Sequence, residues 1–279
     1  MEDTTRKSMA ILYLSLPLAV LVIYASITGL FTNDFYATET LNWQVQSLGQ
    51  DAINLYLVSP VLILSASFAV TNNKFALQLW SGVILYLIYT YAIYCFDIHF
   101  NSMFMIYCVI LGLSFYSFLY FVSLYRFQQL DNMLHKRPIV NIVAIYFIVV
   151  SCLFYLIWLA EILPALVKQQ APASLTAIGL FTNPVHVIDL SIVLPGIFLT
   201  GIFLLRKKFA GLLFAPTILV FFILMDITIG WLVIVINSKG LGDSYALSIT
   251  MAIVTLVSVF FLVSYVTGKK IRVEKTIIH

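Results

Sequence analysis

The segment Thr182-Asn183-Pro184-Val185-His186-Val187-Ile188-Asp189 holds the residue types best suited to chemistry in this chain. Asn is a favoured N-cap and Pro is favoured at the first helical position, so a helix is expected to start here. His186 and Asp189 are three apart, on one face of its first turns. The run that follows is apolar, and Asp189 stands about 9 Å inside it at the helical rise of 1.5 Å per residue. An ionisable side chain in such a run costs at least about 2.5–3.5 kcal/mol at mid-membrane and is normally turned toward a partner or a wet cavity. Asp226 is the second carboxylate of this kind. Pro195 removes the hydrogen bond to the Ser191 carbonyl, and Pro60 does the same to Tyr56 in an earlier helix.

Aromatic hydroxyls are the other polar feature. Tyr86, Tyr89, Tyr91 and Tyr94 lie on one helix and Tyr107 on the next. A phenol deep in lipid needs a hydrogen-bond partner. Tyr91 and Tyr94 are expected at the height of Asp189 and Asp226, either as the wall of a polar cavity or as packing between helices. Asp97-Ile98-His99 and Glu161 are placed at the same outer side. His186, Asp189, Asp97 and His99 could surround a metal or a water, but their spacing matches no ligand motif, so no metal and no cofactor is expected. The three cysteines, Cys95, Cys108 and Cys152, read as apolar filler. No nucleophile elbow, phosphate-binding loop or Gly-x-Gly-x-x-Gly occurs.

These residues sit in a chain of 279 residues that is 62% apolar and 10% charged, with mean hydropathy +1.03. A globular chain carries about a quarter charged residues. The composition therefore excludes a soluble enzyme, a disordered chain and a disulfide scaffold. The net charge of +3 lies in short loops, which argues against nucleic acid as a partner. Eight apolar runs are each long enough to cross about 30 Å of hydrocarbon. They cover Met9 to Phe31, Ala52 to Val70, Phe75 to Phe96, Ser102 to Tyr125, Ile139 to Leu163, Pro184 to Leu205, Phe209 to Ile236 and Ser244 to Thr267. The seventh is the longest of these runs. The expected fold is all-α, a single transmembrane domain over 1–279 with the lipid bilayer as its surroundings. The first run reads as a retained anchor rather than a cleaved signal. Trp43, Trp158 and Trp231 suit an outer aromatic belt and Trp80 an inner one.

Lys and Arg set the orientation. With the N-terminus in the cytoplasm, thirteen of the fifteen fall on inner segments, among them Arg6, Lys74, Arg126, Lys136, Arg206 to Lys208 and Lys269 to Arg272. Only Lys168 and Lys239 fall outside. The positive-inside rule then puts both termini in the cytoplasm, as an even number of spans requires. A cytoplasmic membrane is the expected location. Most acidic residues take the outer side.

A shift of 135 residues lays the second span on the sixth. Asn54-Leu55 meets Asp189-Leu190, Val58 meets Val193, Pro60 meets Pro195, Ser65 meets Thr200 and Phe68 meets Phe203. With one residue of slippage, Lys74-Phe75-Ala76 meets Lys208-Phe209-Ala210. The expectation is two pseudo-repeats, about 1–135 and 136–279. Each would hold four spans, parallel in the membrane about an axis along its normal. Asn54 is then the counterpart of Asp189.

The runs Leu79-Trp80 to Tyr94 with Phe100-Asn101-Ser102-Met103-Phe104, and Asn183-Pro184-Val185-His186-Val187-Ile188-Asp189-Leu190 with Leu194-Pro195, are similar to uncharacterised multi-span membrane proteins of bacteria and archaea. The resemblance covers most of the second to seventh spans and implies no activity.

The favoured functional reading is an acidic, outward-facing cavity that binds or transports a small solute, cation or proton. Its residues would be Asp189, Asp226, His186, Tyr91, Tyr94, Asn54 and Glu161. Two alternatives stand beside it: a membrane-embedded enzyme, with or without a metal, and a non-catalytic subunit or sensor. The sequence leaves oligomeric state and protein partners open.

Overall fold

Uninterrupted apolar runs can satisfy their backbone polar groups in lipid only as helices or closed barrels. A computed structural model of the chain describes residues 2–71, 73–124 and 138–267, and these are helical and strand-free. The helices are α1 Glu2–Phe31, α2 Leu41–Ile53, α3 Ser59–Val70, α4 Lys74–Asp97, α5 Phe104–Leu124, α6 Pro138–Val167, α7 Ala173–Ile178, α8 Pro184–Ile188, α9 Leu194–Leu205, α10 Phe209–Ser238 and α11 Ala246–Thr267. Two π-helical turns, Asn54–Val58 and Asp189–Val193, join α2 to α3 and α8 to α9. Among the described residues, eight helical segments are long and apolar enough to span a membrane, so this is a multi-span membrane protein. We call the end with the connections 32–40, 98–103 and 168–183 the upper end, and the end with 71–73 and 206–208 the lower end. The basic segment Arg126 to Arg137 and the Lys269 to Arg272 run lie outside the described residues.

Three expectations about the spans change. The second begins at Leu41, where Thr40 caps α2, and not at Ala52. Its polar residues Gln44, Gln46, Gln50 and Asp51 hide the helix from a hydropathy reading. The fifth span, 31 residues to Lys168, is the longest, because α6 carries Pro164 within its last turn instead of stopping there. Trp80 is fully buried and its indole N–H donates to Ser15 Oγ at 2.7 Å, so it packs in the core and not in an interfacial belt.

The two prolines do more than free a carbonyl. Pro60 and Pro195 cannot donate to the residue four back, and the ring crowds that carbonyl. The chain widens upstream instead: the Ser59 and Leu194 amides donate to the carbonyls of Asn54 and Asp189, five residues back. Ser59 Oγ donates to the same Asn54 carbonyl at 2.8 Å. Both π-turns begin and end 135 positions apart, as do α3 and α9.

Helix neighbours follow the same pattern in each half. α1 packs on α3, α3 on α4, α4 on α5, and α5 returns to α1; α6 packs on α9, α9 on α10, α10 on α11, and α11 returns to α6. The halves meet along α4 and α10, with α2 on α10 and α8 on α4. Without a hydrophobic drive between helices in lipid, close approach of small residues matters. Gly82 lies against Val220 and the Thr217 carbonyl at the α4–α10 crossing. Ser81 Oγ and Thr217 Oγ1, 2.7 Å apart, bond beside it. Gly211 meets the backbone of Phe203 and Leu204. Large apolar side chains such as Phe68, Leu156 and Phe260 point outward, as a lipid-facing surface requires.

Candidate functional site

The most enclosed carboxylate is Asp51, near the end of α2, with no exposed surface. Tyr36 donates to its Oδ2 at 2.6 Å and Tyr94 to its Oδ1 at 2.8 Å. Each carboxylate oxygen thus has a phenol. No Lys or Arg occurs between Lys7 and Lys74, so the helices that hold Asp51 bring it no counter-charge. Gly29 of α1 forms the floor: a Cβ there would stand 1.9 Å from Oδ2. The rings of Tyr91, Tyr94 and Tyr107 cluster alongside, with centroids 5.3, 6.1 and 5.1 Å apart.

Tyr36 reaches Asp51 from the connection between α1 and α2, and a second contact holds that connection in place. Glu39, buried, accepts from the His99 amide at 2.8 Å and pairs with His99 Nδ1 at 2.8 Å. Burial, then the Asp51 carboxylate beside it, push the Tyr36 phenol well above its ordinary pKa, so it stays a neutral donor.

A second cluster surrounds Asp189, the first residue of the second π-turn. The Trp158 indole N–H donates to its Oδ2 at 2.9 Å, and Tyr89 adjoins the carboxylate. Tyr155 donates to the Leu190 carbonyl, loosened by the π-turn, at 3.0 Å. The Trp158 ring lies 4.5 Å from that of His186, whose Nε2 is 3.8 Å from Glu161 Oε2. Glu161 Oε1 accepts from Ser174 of α7. Asn183 caps α8 through the Val185 and His186 amides.

Asn54 belongs to a third group. Gln50 Nε2 donates to Asn54 Oδ1 at 3.0 Å and to Tyr86 OH at 2.7 Å. Tyr86 OH lies 2.8 Å from Thr228 Oγ1, and Thr228 donates to the Leu224 carbonyl, so the chain crosses from α2 through α4 to α10. Asp226, 7% exposed, is apart from all of these. Its Oδ2 makes no hydrogen bond, and its neighbour Tyr146 is 2.9 Å from Ser258 Oγ.

His186, Asp189 and Glu161 come together through Trp158. Tyr91 and Tyr94 do not join them, because α4 stands between: Tyr89 and Tyr91 are two residues apart, about 200° around the helix, and face opposite clusters. Asp226 and Asn54 stand in separate places. The four residues considered for a metal also part, since Asp97 and His99 lie with Glu39, away from His186 and Asp189. Among the described residues no three His, Cys, Asp or Glu side chains are placed to hold a metal ion. A small apolar groove of about 140 Å³ lies elsewhere, between Val45, Leu48 and Gly49 and Trp231, Val235 and Lys239.

Sequence reasoning passed over Asp51 and Tyr36 as site residues and read Trp158 only as a belt residue, whereas it bonds Asp189. One signal was available for the first. Asp51 and Asn54 are three apart, directly before a proline-broken helix, as His186 and Asp189 are 135 positions later.

Trp158→Phe should keep the ring against His186 but strand the Asp189 oxygen. An unpaired buried acceptor costs about 1–3 kcal/mol. Thermal unfolding in detergent is expected to show that loss, and an unchanged midpoint would refute the contact.

Compared with family models, curated proteins and solved structures, this chain matches none.

Proposed function

We propose that this protein binds and passes a proton across the membrane through the buried carboxylates Asp51 and Asp189, in two related four-helix halves. The observation that carries it is the matched pair of proline-broken π-turns, each with a buried aspartate within one turn of its start. π-turns concentrate at functional sites because they free backbone groups and shift side chains off the regular face. Interrupted spans at corresponding positions of two halves are the common frame of transport sites. The repeated helix contacts support a duplication whose halves have the same orientation. The excess of Lys and Arg at the lower end supports a cytoplasmic lower end, both termini there, and residence in a cytoplasmic membrane. The resemblance to multi-span proteins of bacteria and archaea agrees with that placement.

The chemistry is a single proton transfer. Asp51 or Asp189 as carboxylate takes a proton and becomes neutral, and returns it on the other side. An ionised carboxylate without a counter-charge is costly in lipid, and proton uptake removes the charge. Tyr36 and Tyr94 hold the Asp51 group in position in either state.

The test is purified protein in vesicles enclosing a pH-sensitive dye, given an external acid step under a potassium-clamped potential. Protein-dependent lumenal acidification is expected, reduced at least tenfold in Asp51→Asn and in Asp189→Asn. Rates equal to those of empty vesicles, or unchanged rates in both folded variants, would overturn the proposal. Acidification that requires sodium or another small cation on the opposite side would replace simple proton passage by exchange.

A further inference from the structure

Most buried hydroxyls bond to a nearby carbonyl or side chain, Ser47, Ser59 and Ser65 of the first half among them. In the second half Ser151 donates to the Ile148 carbonyl, Thr200 to the Gly196 carbonyl, and Ser258 pairs with Tyr146. In the first half Ser26, Tyr91, Tyr107, Ser114 and Ser117 are all at or below 1% exposure, and none of their hydroxyl oxygens makes a hydrogen bond. The Tyr91 hydroxyl adjoins Ser26, and the Tyr107 hydroxyl adjoins Tyr36 and Asn101, without ordinary hydrogen-bond geometry.

Three of these groups follow one another along a single helix. Tyr107, Ser114 and Ser117 are all buried on α5, whose neighbours are α1 and α4. Tyr107 to Ser117 covers about 15 Å along the axis, roughly half of the membrane. Tyr107 and Tyr91 begin it beside Asp51. Phe121, one turn past Ser117, and Trp80, bonded to Ser15, are fully buried at its lower end.

A buried hydroxyl left without a partner costs about 1–3 kcal/mol, so five of them in one half call for partners. Buried water is the usual partner when polar atoms are close enough to share it. We propose that the core of the first half holds a file of bound water, from the Asp51–tyrosine cluster past Ser26 to Ser114 and Ser117. It is the route by which a proton on Asp51 reaches the lower side, with Trp80 and Phe121 as its closure. The route rests on the proton reading above; the water file rests only on the hydroxyls.

Radiolytic hydroxyl-radical footprinting tests the file without any transport measurement, because radicals form at bound water and label adjacent side chains. In vesicle-embedded protein, Tyr91, Tyr107, Ile110 and Phe121 are expected to be labelled at least tenfold faster than Phe147, equally buried in the second half. The double variant Ser114→Val/Ser117→Val should lower labelling of Ile110 and Phe121 at least fivefold. Should it not fold, Ser114→Ala/Ser117→Ala, which adds no bulk, is read in the same way. Labelling of all four at the rate of Phe147 overturns the file, even if proton passage is found. Fast labelling without proton passage upholds the file and removes the function proposed for it.

Discussion

Gly82→Ala is expected to destabilise the protein by about 2 kcal/mol or more, the upper part of the 1–3 kcal/mol range for overpacking. The substitution would ordinarily help, since alanine is better than glycine in a helix interior by about 1 kcal/mol. The structure reverses the sign. A Cβ at Gly82 would stand 2.3 Å from Val220 Cβ and 2.9 Å from the Thr217 carbonyl oxygen. Neither obstacle is the tip of a flexible side chain, so α4 and α10 must separate. That separation also strains the Ser81–Thr217 bond, one of the polar links between the halves. Gly112→Ala is the matched control, because no atom lies within 4 Å of the added Cβ. Thermal unfolding in detergent, followed by tryptophan fluorescence, should show Gly82→Ala below the parent and Gly112→Ala at or above it. Equal midpoints for both would mean that the halves do not meet at Gly82.

Gly29→Ala should have the second largest effect, and a different signature. Its added Cβ would overlap Asp51 Oδ2 at 1.9 Å and crowd the Tyr36 hydroxyl at 2.8 Å. Here the obstacle is a side chain that can move, but only by giving up the Tyr36 bond. The expected loss is about 1–3 kcal/mol for a buried group left unpaired. The double variant Gly29→Ala/Asp51→Asn separates this cause from general crowding, since asparagine offers an N–H in place of one oxygen and carries no charge. If Gly29 acts through the carboxylate, the two losses should fall short of adding by about 0.5 kcal/mol or more, as for residues in contact. Strict additivity, or a stable Gly29→Ala protein, would show that the Asp51 carboxylate does not rest on α1.

How much of this was legible beforehand depends on the kind of physics involved. The sixth span was readable to the residue, because Asn183 and Pro184 mark its start and Arg206 its end. The second span was misjudged by eleven residues, since α2 carries Gln44, Gln46, Gln50 and Asp51 and packs against α1 and α10. Hydropathy reports contact with lipid, and a helix shielded by other helices need not be apolar. Trp80 failed for the same reason: its composition suits an interface, while its neighbours place it in the core.

The sequence by itself determined that the chain has eight spans, where Pro60 and Pro195 interrupt them, and that Asp189 and Asp226 stand inside apolar runs. These follow from local properties: transfer cost, helical rise and a missing amide hydrogen. Only the tertiary structure decided which polar groups share a site. It took Tyr91 and Tyr94 from Asp189 to Asp51, joined His186 to Asp189 through Trp158 and to Glu161 directly, and left Asp226 alone. That choice depends on the rotation of each helix about its axis. Rotation is fixed by side chains meeting across several helices at once, such as Gly29 beneath Asp51, and no single stretch of sequence contains it.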